Sequence, residues 1–166
     1  TQNMVFWDRR SGQYGGYTRV KETQMLDEAA GSGRGRYRAI GRITSPDFRA
    51  WSDTQIVLEA DDVELNMPLP ELKVGPQPPV DVYTSCAMPY EDAQDAYLML
   101  PSFFYHWGEN HFPASLDVQL LTSRDGIAWR RTDDRQPFLR LGHEGSGATG
   151  MLFANPWLIP VGNELW

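Results

Sequence analysis

Thr44-Ser45-Pro46-Asp47-Phe48-Arg49-Ala50-Trp51 returns as Thr122-Ser123-Arg124-Asp125-Gly126-Ile127-Ala128-Trp129, with Ser45 and Ser123 separated by 78 residues. Five of the eight positions are identical, and each copy follows a short strand-like run, Arg38 to Ile43 and Leu116 to Leu121. A Ser or Asp side chain can accept backbone N–H bonds across a tight turn. The Trp four residues past the Asp can cover the apolar seam between neighbouring sheets. The motif therefore reads as a structural corner that links two antiparallel strands.

A second hairpin type lies between these corners. Val5-Phe6-Trp7 turns through Asp8 to Gly12 into the aromatic strand Tyr14 to Val20. The same grammar recurs in Thr84 to Met88, turning through Pro89 to Asp95 into Ala96 to Leu100. It begins again at Trp157-Leu158-Ile159, Pro160 to Asn163 and Glu164-Leu165-Trp166. Apolar, aromatic runs joined by polar residues and Gly are hairpin signals. Two alternating hairpin types predict four-stranded sheets in tandem, the signature of a β-propeller. The expected fold is all-β and β-propeller-like: about two four-stranded antiparallel blades, over 1–60 and 80–140, and the start of a third over 150–166. Propellers close with four to eight blades, so the reading expects a fragment of a longer chain, or else copies that associate through exposed sheet edges.

The composition agrees. The 166 residues are 41% hydrophobic, 12% aromatic and 22% charged, with 15 Gly and 12 Pro, which suits a turn-rich β protein of one domain. A net charge of -7 argues against a phosphate-tracking surface, so no nucleic-acid partner is expected, and no apolar stretch is long enough for a membrane helix. Cys86 is the single cysteine, which excludes an intrachain disulfide and a multi-thiolate metal site. No cofactor and no metal are expected. Glu22 to Gly35 reads as a surface excursion with a helical turn at Thr23 to Ala30. Asp61 to Pro79, carrying Pro68, Pro70, Pro76, Pro78 and Pro79, reads as a loop that no helix or central strand can cross. Gly31 to Gly35 lacks the ending of a phosphate loop, and no serine sits in a Gly-x-Ser-x-Gly elbow.

On Asn3 to Asp8 with Gly12 and Tyr14, Ser45 to Trp51, Tyr97 to Ser102, Ser123 to Gly126 with Trp129, and Gly162 to Trp166, the chain resembles the five-bladed propeller glycoside hydrolases, the group of arabinanases, levansucrases and invertases. The resemblance implies carbohydrate as the partner, an extracellular or periplasmic setting, and an axial funnel in which carboxyl groups of differing pKa cleave glycosides. The pattern departs where acids are implied: Asn3 stands ahead of the first strand, and the next position falls near Thr84, with Asp81 three residues earlier. Asp8, Asp81 and Glu109 are the candidate catalytic acids, with Glu144 a weaker one. Asp8 also reads as a turn residue and Asp81 as a backbone cap. Asn3, Tyr83, Thr84, His106, Trp107 and His111 are the candidate substrate contacts, since aromatic faces stack on sugar C–H faces while polar neighbours bond the hydroxyls. Tyr105 and Phe112 are weaker aromatic candidates, and His143 reads as surface. A non-catalytic glycan- or protein-binding piece is the alternative. A sialidase-like reading ranks third, because its Asp-to-Trp spacing is one residue longer than that of Asp125 to Trp129.

Overall fold

The computed structural model describes residues 3–20, 38–67, 80–107, 113–155 and 157–166. The fold is all-β and propeller-like. Strands β1 (Met4–Asp8), β2 (Gln13–Val20), β3 (Ala39–Ser45) and β4 (Gln55–Leu58) form one antiparallel sheet in chain order. In β1, Met4, Phe6 and Asp8 are buried while Val5 and Trp7 are exposed, the alternation of a strand with one face on a core.

A second group of strands follows the same order with one elaboration. Strands β6 (Ala87–Pro89), β7 (Tyr97–Met99), β10 (Leu121–Ser123) and β11 (Trp129–Arg131) make a four-stranded sheet. Strands β5 (Val80–Thr84), β8 (Ser102–His106) and β9 (Ala114–Val118) make a three-stranded one. The two are halves of the same long strands, bent at Ser85-Cys86, Leu100-Pro101 and Gln119-Leu120. The bends stay stitched: Leu100 N donates to Cys86 O at 3.3 Å and Gln119 N to Pro101 O at 3.1 Å. The expected strands Thr84 to Met88 and Leu116 to Leu121 are thus each broken in the middle, and the strand from Ala96 continues past Leu100 to His106. A final hairpin pairs β12 (Pro160–Val161) with β13 (Glu164–Leu165), closed by reciprocal bonds between Ile159 and Trp166.

The expectation for Asp61 to Pro79 is corrected in its first residues. A single-turn helix, α1 (Asp62–Leu65), forms within the stretch read as loop. Its capping box, in which the Asp61 carboxylate accepts from Val63 N and Glu64 accepts from Asp61 N, satisfies the first-turn donors, and the first proline comes only at 68. The Glu22–Gly35 excursion and the run of prolines lie outside the described residues.

The main core joins the two sheets through Met4, Phe6, Tyr17, Ile40, Val80, Val82, Met99, Phe103 and Leu121. Trp129 meets Tyr17 edge-on at 6.0 Å, so it covers the seam between sheets. Trp51 instead packs on Phe48 of its own turn. A second cluster of Cys86, Met88, Leu100, Val118 and Ala154 lies on the other face, where residues 150–154 run along β9.

The two Ser-x-Asp turns share one set of hydrogen bonds. Asp47 Oδ1 accepts from Arg49 N (2.8 Å) and Ala50 N (2.9 Å), and Asp125 Oδ1 accepts from Ile127 N and Ala128 N (both 2.8 Å). These backbone donors hold both carboxyls below the usual Asp value. Phe48 and Gly126, at the same place in their turns, both have left-handed φ, 65° and 72°.

Candidate functional site

Asp81 sits on β5, 1% exposed, at the end of the strands opposite to the Ser-x-Asp turns. Val82 N donates to Arg38 O at 3.1 Å, so the chain just before β3 runs along the edge of β5. That pairing turns the Arg38 guanidinium onto the carboxylate: Nη1 donates to Asp81 Oδ2 at 2.8 Å. On the neighbouring strand Asp81 lies opposite Phe104, and period-two alternation brings His106 to the same face. His106 is 1% exposed, its Nε2 lies 3.5 Å from Asp81 Oδ2, and Phe104 meets its ring edge-on at 4.4 Å. Asp81 Oδ1 is buried without a hydrogen-bond partner.

Aromatic rings and cations frame this carboxylate. Arg38 lies over Tyr83 (5.1 Å) and Phe104 (5.3 Å), and Arg19, near the end of β2, lies over Tyr83 at 4.8 Å. Phe153 packs against Tyr83 at 6.0 Å while remaining largely exposed. The structure thus brings Asp81, Tyr83 and His106 together and adds Arg19, Arg38, Phe104 and Phe153. The alternation of Asp81-Val82-Tyr83 against Phe104-Tyr105-His106 is the sequence signal that could have grouped four of these.

The other candidates fall elsewhere. Asp8, buried at the far end of β1, accepts from Arg10 N (3.0 Å), Ser11 Oγ (2.8 Å) and Tyr97 Oη (2.8 Å). Burial raises its pKa, but the bonds from Tyr97, Ser11 and the backbone outweigh this and leave the carboxyl below its usual value. Thr84 is buried, its Oγ1 donating to Ser102 Oγ at 3.0 Å. Asn3 is exposed and accepts from Thr18. Trp107 stacks on Tyr105 and donates from Nε1 to Ser115 Oγ at 2.7 Å, on the face opposite His106. Glu144 and His143 are exposed in a loop. Glu109, His111 and Phe112 lie outside the described residues. Among the described residues no group of three His, Cys, Asp or Glu side chains gathers to hold a metal.

A second polar network, absent from the sequence reading, lies on the Trp107 face. Asp117 on β9 is 8% exposed beside Tyr105, with Oδ1 buried and unpartnered, and burial lifts its pKa to about 6. Gln119 links Tyr105 to Arg131, which pairs with buried Glu64 at 3.0 Å; Arg135 bonds both Glu64 and Asp61. At the Ser-x-Asp end, Tyr90, Thr122, Arg124, Asp125, Trp129 and Arg130 line an open hollow of about 790 Å³. Its carboxylate, Asp125, is already bonded to its own turn.

No protein family and no curated protein matches the chain. Among solved structures, a glycosyl hydrolase from Bacteroides ovatus is similar at 17% identity and a TM-score of 0.47, over 78% of this chain. A candidate glycoside hydrolase from Parabacteroides distasonis is similar at 16% identity and a TM-score of 0.47, again over 78%. The chain spans 29% and 30% of the length of those two structures.

Proposed function

We propose that the chain is a carbohydrate-active unit of the propeller glycoside hydrolase type, organised as two blades, 1–60 and 80–140, with a third beginning at 150–166. Asp81 is its acid-base carboxyl, and Tyr83, Phe153 and Arg19 form the surface that meets the sugar. One observation carries this reading: among the described candidate acids, Asp81 alone is buried at this end with one oxygen held by Arg38 and the other without a protein partner. A carboxyl group with one oxygen so left unbonded can exchange a proton with a hydroxyl or glycosidic oxygen that reaches it. The exposed Phe153 ring offers a flat apolar face to sugar C–H groups.

The test is a panel of 4-nitrophenyl glycosides and oligosaccharides, read as turnover and as a shift in melting temperature. Cleavage that falls about 10²–10⁴-fold in Asp81→Asn supports the proposal. No cleavage and no sugar-dependent melting shift across the panel would falsify it.

A second reading has its own support. Glycoside hydrolysis ordinarily uses two carboxyl groups flanking one bond, and Asp8 lies at the opposite end of β1, fully bonded. The described residues therefore assemble one carboxyl at the site, which favours glycan binding without cleavage. A saturable melting shift with no turnover identifies that case.

A further inference from the structure

We infer that Arg38 and His106 are positioning residues that act through Asp81, fixing its carboxylate by Oδ2 and leaving Oδ1, buried here, as the oxygen free to bond a ligand that reaches it; the inference rests on the proposed role of Asp81. Both groups lie on the same carboxylate oxygen. Arg38 Nη1 is 2.8 Å and His106 Nε2 3.5 Å from Oδ2, and the Arg38 backbone N–H adds a third approach at 3.4 Å. Two hydrogen bonds from Arg38 and the 3.5 Å approach of His106 all fall on Oδ2, and none falls on the buried Oδ1, so the carboxylate is fixed from one side.

The surroundings make the arrangement stiff. His106 is packed edge-on against Phe104, and the Arg38 guanidinium lies over the adjoining rings of Tyr83 and Phe104. Arg38 itself is anchored by the backbone bond from Val82, the residue next to Asp81. His106, 1% exposed on β8, approaches Asp81 on the same oxygen that Arg38 holds. A charge-assisted Arg contact fixes geometry as well as charge. Misplacing a reacting group by about 1 Å costs on the order of 10²-fold in rate, so the second layer carries a measurable share of any activity.

The experiment uses the full chain with Arg38→Gln, Arg38→Lys and His106→Gln, each compared with wild type by melting temperature. Proton couplings at the Asp81 Cβ, assigned with Asp81→Asn, report its χ1 rotamer and need no substrate. A single rotamer in wild type that becomes averaged in both Gln variants, with Arg38→Lys intermediate, supports the inference. An unchanged single rotamer in both Gln variants overturns it. Should Arg38→Gln not fold, Arg38→Lys, which keeps the charge but loses the planar fork, reads the same coupling. On any 4-nitrophenyl glycoside that is cleaved, the inference expects kcat to fall about 10²-fold with KM within about threefold. A raised KM at unchanged kcat overturns it by placing the two groups on the ligand. If no glycoside is cleaved, the proposed acid-base role of Asp81 fails, while the rotamer measurement still decides the positioning.

Discussion

Two buried aspartates sit on opposite sides of the usual carboxyl pKa, and the difference is visible in their bonds. Asp117 has a buried orphan oxygen, Oδ1, and burial raises its pKa from 3.8 to about 6. A raised folded-state value means that the protonated form favours the fold. That contribution is fully present below pH 3.8 and is lost as pH rises to about 6. A two-unit shift corresponds to about 3 kcal/mol by linkage. Urea unfolding at several pH values should therefore show Asp117→Asn more stable than wild type at pH 7 by roughly 1–3 kcal/mol, with the gap closing toward pH 4. Equal stability of the two at pH 7 would count against it. Asp8, with three donors, is shifted the other way. Its contribution is present above pH 3.8 and is lost as pH falls through its lowered folded value. Removing the inter-sheet donor by Tyr97→Phe should cost about 1–3 kcal/mol at pH 7 and progressively less in acid, measured by the same unfolding curves.

At the scale of elements, the Ser-x-Asp turns show how a local motif governs a long-range contact. Gly126 has φ of 72°, and its carbonyl accepts from Tyr17 Oη at 2.7 Å, a bond between the two sheets. A Cβ built there would lie 2.6 Å from that same hydroxyl. Gly126→Ala therefore combines left-handed backbone strain with loss of a buried hydrogen bond, and should destabilise by about 2–4 kcal/mol in a thermal or urea melt. Phe48 occupies the matching position with the same backbone sign, and its ring packs on Tyr14 and Trp51. There Phe48→Gly relieves about 1 kcal/mol of backbone strain while losing aromatic contact, so it should change stability by under about 1 kcal/mol. These turns were legible in the sequence because every bond that the side chains of Ser45, Asp47, Ser123 and Asp125 make in them spans two or three residues. The bends at Ser85-Cys86 and Leu100-Pro101 were not, since each depends on how the strand coils over its neighbours. The site was legible only in its strand residues: Asp81, Tyr83 and His106 came from the sequence, whereas Arg38 joins Asp81 across 43 positions through strand-edge pairing. Asp117 was hidden by its own pattern, because a polar residue alternating with Leu116 and Val118 reads as solvent-facing until Tyr105 is seen to cover it.

For the whole molecule, the distribution of apolar surface is uneven. Both core clusters lie between sheets or under Leu152, Ala154 and Leu158, while the last hairpin carries Trp157, Ile159, Val161, Leu165 and Trp166, all exposed, with Trp166 at 72%. A two-stranded hairpin is marginal by itself in water, and one apolar on this scale gains by burying a face and pairing an edge. The net charge of -7 opposes contact between like chains, and salt screens that repulsion. The chain should therefore self-associate with rising concentration, and more strongly as salt is raised, giving a light-scattering mass above the 18.9 kDa of one chain. Ile159 and Trp166 belong to neither core cluster, so Ile159→Lys with Trp166→Lys should return the mass to that of one chain without lowering the melting temperature of the two-sheet body. A mass that stays at 18.9 kDa across concentration and salt would show that this hairpin tolerates water unaided.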